Sequence, residues 1–196
     1  KTVDLKKIRE LAPTHVILNV DENTKATADA LAQFVPNLVV THPLAPEDNL
    51  ALYRQIGAAF GREREAEALC ARFEAALAQA RTQAFPETMV LYLIWKDPWL
   101  TVSRDTYVSR TLALFGLRTV PAVADARYPK LANLDIPEAD LVLVSSEPYR
   151  FTQKHLPEIE RLSGRPARLI DGEMTSWYGP RAIAGLRYLS DYAQAH

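Results

Sequence analysis

Residues 62–85 contain neither Gly nor Pro, and Pro86 ends the stretch. Ala66, Leu69, Cys70, Phe73, Leu77 and Ala80 recur along it at every third or fourth position. That spacing puts apolar side chains on one face of an α-helix. At about 1.5 Å per residue a continuous helix here runs roughly 35 Å, longer than one small lobe needs. The stretch reads as a strut between two folded sections, with an ordinary long surface helix as the plainer alternative. It divides the chain into a first lobe over 1–61, a connecting helix over 62–85 and a second lobe over 86–196.

Both flanking sections alternate strand and helix, the order that favours α/β architecture with parallel sheets. In the first, 15–20 and 37–41 read as strands, and 24–34 and 47–60 as helices with Gly61 as a C-terminal stop. Two strands are too few for an independent sheet. We therefore expect an incomplete N-terminal lobe whose remaining strands lie upstream. The chain opens on Lys1 rather than Met and runs at once into an amphipathic segment with Leu5, Ile8 and Leu11 on one side. It reads as processed or partial. In the second section 89–94, 141–144 and 167–170 read as strands. A helix over 104–115 is expected to take Ser103 as its N-cap, 156–162 forms a short helix, and Pro180 opens the last helix as its first residue.

Composition removes several classes of function. At 48% hydrophobic over 196 residues the chain can bury a real core. A net charge of −1 gives no electrostatic reason to expect nucleic acid or an anionic membrane as partner. Apolar runs are only a few residues long, so no segment is expected to insert in a bilayer. Cys70 stands alone, which excludes an intrachain disulfide and a cysteine-based zinc site. No two His share metal-ligand spacing, and Asp21-Glu22 is a weak metal signal. His15 reads as structural and His155 as solvated. A Gly-rich phosphate loop and a Gly-x-Ser-x-Gly elbow are both missing. Asp171 and Glu173 would share one side of an extended segment, but no partner for acid–base work is identifiable.

What stands out instead is aromatic. Three loops that follow strands of the second section carry large rings: Trp95-Lys96-Asp97-Pro98-Trp99, Ser145-Ser146-Glu147-Pro148-Tyr149-Arg150-Phe151, and Thr175-Ser176-Trp177-Tyr178-Gly179-Pro180-Arg181. In a parallel sheet all three emerge at the carboxyl edge, where ligands bind. Core packing at a domain rim is the plainer reading of any one of them. Arg181 pairs with a carboxylate or phosphate, or caps a nearby loop. Asp97 before Pro98 is more often a turn former than a ligand contact, and Glu147-Pro148 reads as shaping a turn. His42 follows the second strand and faces the open edge of the first lobe.

In this order the motifs resemble the substrate-binding proteins of ABC importers for cobalamin and ferric siderophores, the helical-backbone metal receptors. The residues that carry the resemblance are Asp4-Leu5-x-x-Ile8-x-x-Leu11-x-Pro13, Trp95-x-Asp97-Pro98-Trp99-x-Thr101-Val102, Ser146-Glu147-Pro148-Tyr149-x-Phe151, and Asp171-Gly172-Glu173-x-x-Ser176-Trp177-Tyr178-Gly179-Pro180-Arg181. The resemblance implies two Rossmann-like α/β lobes joined by one long helix, with a metal chelate, a corrinoid or a ferric siderophore, held in the cleft between them. Trp95, Asp97, Trp99, Tyr149, Trp177, Tyr178, Arg181 and His42 are the candidate ligand-binding residues. No catalytic residue, cofactor or protein-bound metal is implied, because metal arrives inside its chelate.

It further implies a periplasmic or cell-surface location and a membrane permease as partner. Family members carry further strands before the point that matches Thr2, and they commonly present one Glu per lobe to the permease. Lys6 stands where the first Glu is expected, and Glu138 and Asp135 are the candidates for the second. Two other readings of the residues remain: a chelatase-like enzyme on the same architecture, and an interaction module without small-molecule binding.

Overall fold

The computed structural model describes residues 3–195. Near its middle lies helix α4, Glu63–Arg81. Glu63 and Glu65 in its first turn and Arg81 in its last complement the helix dipole. Its buried side is Ala66, Cys70, Phe73, Leu77 and Ala80. At 19 residues α4 is about 28 Å long, shorter than 62–85 suggests. Its end is made by Thr82, whose hydroxyl donates to the Gln79 carbonyl (2.8 Å). The helix is unbroken and packs against one helix of each section, α3 (Asp48–Phe60) and α8 (Arg181–Gln194).

Before α4 the order is α1 (Leu5–Leu11), β1 (His15–Asn19), α2 (Lys25–Ala32), β2 (Asn37–Thr41) and α3. Strands β1 and β2 pair in parallel, from His15 opposite Asn37 to Asn19 opposite Thr41. Helix α3 stops at Gly61, whose φ of 62° is left-handed and costs a glycine nothing sterically. The described part of this lobe therefore has a two-stranded sheet, too small to cover itself. Its core is Leu18, Leu31 and Val35, with Leu5, Ile8 and Val16 packed against them. Ile17, 53% exposed, and Phe60, 46%, remain in solvent.

The second section is a finished parallel sheet of order β4-β3-β5-β6. Its strands are β3 (Thr88–Leu93), β4 (Leu117–Thr119), β5 (Leu141–Ser145) and β6 (Ala167–Ile170). Alternation along the strands feeds two cores. Val90, Tyr92, Leu141 and Leu143 face α4, α5 (Tyr107–Ala113) and α8; Leu91, Leu93, Val142 and Val144 face Ile159 of α6 (Leu156–Ser163) and Phe151. Every residue of β5 is buried, as a strand covered on both faces requires. Each of its Leu and Val side chains contributes about 1.5–3 kcal/mol by leaving water.

Three local expectations give way to the structure, and one strand had no counterpart among them. Strand β4 is only three residues long, too short to show as a pattern. The cap of α5 is Thr106, not Ser103: the Thr106 hydroxyl accepts from the Ser109 amide (3.3 Å), while residues 103–105 form a turn held by Thr106 on the Ser103 carbonyl (2.8 Å). Gly172–Ser176 is a helical turn, α7, so Asp171 and Glu173 are not a carboxylate pair on an extended segment. Asp171 is the N-cap and accepts from the amides of Glu173 (2.9 Å) and Met174 (3.2 Å). Pro180 takes the N-cap position of α8 rather than the first helical one.

Candidate functional site

Strands β3, β5 and β6 are parallel neighbours, so the loops after them leave from one edge of the sheet. The middle loop is the hub. Glu147 and Tyr149 sit on either side of Pro148, and each engages a different tryptophan. Tyr149 meets Trp95 edge-on, with ring centroids 5.6 Å apart. The Glu147 carboxylate accepts from the Trp177 indole N–H at 2.8 Å. Trp95 is 38% exposed and Trp177 46% exposed.

A close approach of backbones makes the second pairing possible. A Cβ on Gly172 would lie 2.5 Å from the Ser145 hydroxyl and 2.7 Å from the Glu147 nitrogen. Only glycine lets α7 seat this tightly on the end of β5. The Gly172 amide then donates to the Ser146 hydroxyl (2.9 Å). Beneath it the fully buried Tyr92 phenol bonds the hydroxyls of Thr175 (2.6 Å) and Ser145 (3.1 Å). Burial pushes the Tyr92 phenol up to about 12.

Arg181 lies over the Trp177 ring, its guanidinium carbon 5.0 Å from the centroid, and pairs with Glu173 at 2.6 Å. Of the two roles left open for Arg181, carboxylate pairing is the one observed, and the carboxylate is the protein's own. Trp99 is half-buried and stacks parallel on Phe151 at 6.3 Å, so it supports the loops from below. Lys96 reaches over the Trp99 ring and forms an ion pair with Glu158. That hydrogen bond raises the lysine's pKa and lowers the glutamate's. Asp97 is exposed at the turn with φ of 57°, a conformation aspartate tolerates better than most residues. His155 is a capping residue, not a merely solvated one: its Nδ1 accepts from the Thr152 amide (2.9 Å), and its ring meets Tyr149 and Phe151.

Tyr178 points away from Trp177 and toward the first lobe. Its hydroxyl accepts from the Asn19 amide nitrogen (2.7 Å), and its ring meets Tyr107 edge-on at 5.8 Å. Burial raises its pKa. Next to it the Gly179 amide donates to buried Asn49 of α3 (2.7 Å), and the Gly179 carbonyl accepts from Tyr53 (2.8 Å). Asn49 also donates to Tyr107 (3.0 Å) and to the Pro46 carbonyl (2.9 Å). These bonds form the floor where the lobes meet.

His42 stands in a charged cluster at the rim of the lobe contact. It contacts Arg127, and its Nε2 is 3.6 Å from the Asp21 carboxylate. Arg127 and Tyr128 both bind Asp21, across 106 and 107 positions of sequence. Glu147, whose place before Pro suits a turn, holds Trp177, and Arg127 and Tyr128, which no sequence pattern marks, hold Asp21. Only the Asp21-Glu22 pair offered a hint.

The expected residues thus fall into separate neighbourhoods: Trp95, Trp99 and Tyr149 around one loop, Trp177 and Arg181 beside it, Tyr178 on the floor, His42 in the charged cluster at the rim. A cavity of about 600 Å³ opens beside β1, lined by Ile17, Tyr53, Ile56, Phe60 and Leu69. Of the expected residues Tyr178 alone lines it. Among the described residues no group of three His, Cys, Asp or Glu is placed to hold a metal ion, and no helix is long and apolar enough to cross a membrane. Lys6, Asp135 and Glu138 are all exposed.

No family model and no curated protein matches the chain. Solved structures do. The periplasmic vitamin B12 binding protein BtuF of Vibrio cholerae superposes with a TM-score of 0.83 at 14% identity, over 100% of this chain and 79% of that one. The periplasmic heme-binding protein RhuT from Roseiflexus sp. RS-1, in apo form, gives 0.80 at 22% identity, over 99% and 82%. S. aureus IsdE complexed with heme gives 0.71 at 14%, over 96% and 80%. At these identities the likeness establishes the fold. The chain has the two-lobed architecture of periplasmic binding proteins, the fold that the resemblance to helical-backbone metal receptors implied.

Proposed function

We propose that this chain is the substrate-binding component of an ABC importer and captures a metal chelate, a corrinoid or a ferric chelate such as a siderophore, between its lobes without changing it chemically. The observation that carries this reading is Trp177. Its indole is half in solvent, yet it is fixed by Glu147 on its N–H and by Arg181 on its face. One residue later the chain touches the first lobe through Tyr178. An exposed, held aromatic at the seam of two lobes suits a broad, partly planar ligand, because stacking area is gained with little ordering cost. Trp95 and Tyr149 extend the apolar edge. A membrane permease is the partner this role requires, and the periplasm or cell surface is its place.

The test is titration of the protein with cyanocobalamin, hemin and a ferric hydroxamate, following tryptophan emission. Saturable quenching by one of them is expected, with Trp177→Ala weakening it by about 1–3 kcal/mol, as for a buried contact. If all three leave the emission unchanged, the reading fails. The apolar cavity beside β1 favours a second reading, an interaction module that binds a protein segment there; it predicts no response to any chelate.

A further inference from the structure

Two sets of polar contacts join the lobes, and the one at the rim is charged. Asp21 lies in the turn after β1, in the first lobe. Arg127 and Tyr128 lie in the second lobe, between β4 and β5. The Arg127 guanidinium takes both Asp21 oxygens, at 2.6 and 3.1 Å, the paired fork geometry that gives the strongest ion-pair hydrogen bonds. The Tyr128 hydroxyl donates to the same carboxylate at 2.9 Å. His42 of the first lobe closes the cluster against Arg127.

Each partner is braced from behind. Arg127 Nε donates to the Asp105 carbonyl (3.1 Å), and the Arg127 carbonyl accepts from the Ser103 amide (2.8 Å). The Asp21 amide donates to Asn19 Oδ1 (2.9 Å), while the other end of the same Asn19 side chain holds Tyr178. The Asp21 and Arg127 side chains are 22% and 26% exposed, so salt reaches the pair, while the fork geometry and the third donor, Tyr128, set it above a single-contact surface ion pair.

We infer that Asp21 is an interlobe clasp: by holding Arg127 and Tyr128 it sets the resting separation of the two lobes at the cleft rim, and its release lets them part. This goes beyond ligand capture and requires no ligand to be tested. A pair that draws its strength from charge weakens with salt, whereas the neutral bonds of the floor do not. The floor therefore serves as hinge and Asp21 as catch. Asn19 joins catch and hinge, with its oxygen on the Asp21 amide and its nitrogen on Tyr178.

Spin labels on Lys25→Cys in the first lobe and Lys130→Cys in the second report the separation by pulsed dipolar spectroscopy; Cys70 is buried and stays unlabelled. The full chain at low salt should give one narrow distance distribution. Asp21→Asn, which keeps the shape and loses the charge, should shift it to longer distances and broaden it. High salt should do the same to the unmodified protein and add little to the variant. Arg127→Lys, which retains charge without the fork, should lie between them. It decides the matter alone should circular dichroism show Asp21→Asn to be unfolded. A folded variant with an unchanged distribution overturns the clasp, whatever the protein proves to bind.

Discussion

The floor and the rim join the same two lobes by opposite means. At the floor Asn49 is fully buried, and its amide satisfies Gly179, Tyr107 and Pro46 at once. No formal charge takes part. At the rim Asp21, His42 and Arg127 are charged or titratable and partly in water. A buried amide that loses a partner cannot turn to solvent for another, so the floor has one arrangement. A charged pair near water can exchange partners at modest cost. The difference separates what fixes the two lobes to each other from what can adjust them.

The sharpest way to break the comparison is at its buried end. Asn49→Ala would leave the Gly179 amide and the Tyr107 hydroxyl without Asn49 in a site closed to water. Stability should fall by about 2–4 kcal/mol, even though alanine suits the helix better. A urea midpoint within error of the unmodified protein would show that the floor is not the fixed element.

Alkaline pH should act on the same region. Burial pushes the Tyr107 phenol up to about 12, and Tyr53 is raised as well, by burial first and then by the Tyr107 charge. The unfolded chain sheds these protons near pH 10, before the folded protein does. Between pH 10 and 12 the folded state thus holds more protons, and stability falls as pH rises. Tyr107 alone accounts for about 3 kcal/mol by the far end of that window. Urea midpoints at pH 8 and pH 11 should differ accordingly, and Tyr107→Phe should flatten the slope. Equal slopes in both proteins would remove Tyr107 from the effect.

Much of this arrangement was legible in the sequence because it is written in local periodicity. Alternating strands and helices, the Gly-free stretch that became α4, and three aromatic loops on one edge all follow from spacing and turn chemistry. What was illegible is pairing across distance. Glu147 and Trp177 are 30 positions apart and Asp21 and Arg127 are 106 apart, and no local pattern joins them. Short elements escaped for another reason. Three residues of β4 and five of α7 are too few to establish a period. The aromatic composition of the loops identified the edge but did not distinguish Trp99, stacked inward on Phe151, from Trp177, held outward by Glu147.

A smaller effect is expected where the floor meets the aromatic edge. Gly172→Ala forces a methyl group against the Ser145 hydroxyl and the Glu147 backbone. Overpacking of this kind costs about 1–3 kcal/mol. Helix α7 should back away from β5, which lengthens the Trp177–Glu147 bond. Loss of stability and a change in tryptophan emission should therefore appear together. A destabilised variant with unaltered emission would show that the indole is not positioned through Gly172.

The smallest stability change is expected at Trp177, and its smallness is what separates a binding surface from a core. The indole is 46% exposed, packs on the Arg181 guanidinium and makes one hydrogen bond to a carboxylate that water can also reach. Truncation to alanine strands no buried group and uncovers only the half of the ring that packs on Arg181 and its neighbours, so stability should change by no more than about 1 kcal/mol. Trp99→Ala should cost several times more, because that ring stacks on Phe151 within the core below. Denaturant titrations of the two variants, side by side, check this. A large loss from Trp177→Ala would make its ring a structural prop and withdraw the main support for ligand capture at the seam. A small loss, together with weakened chelate binding in the same protein, is the outcome the proposed function requires.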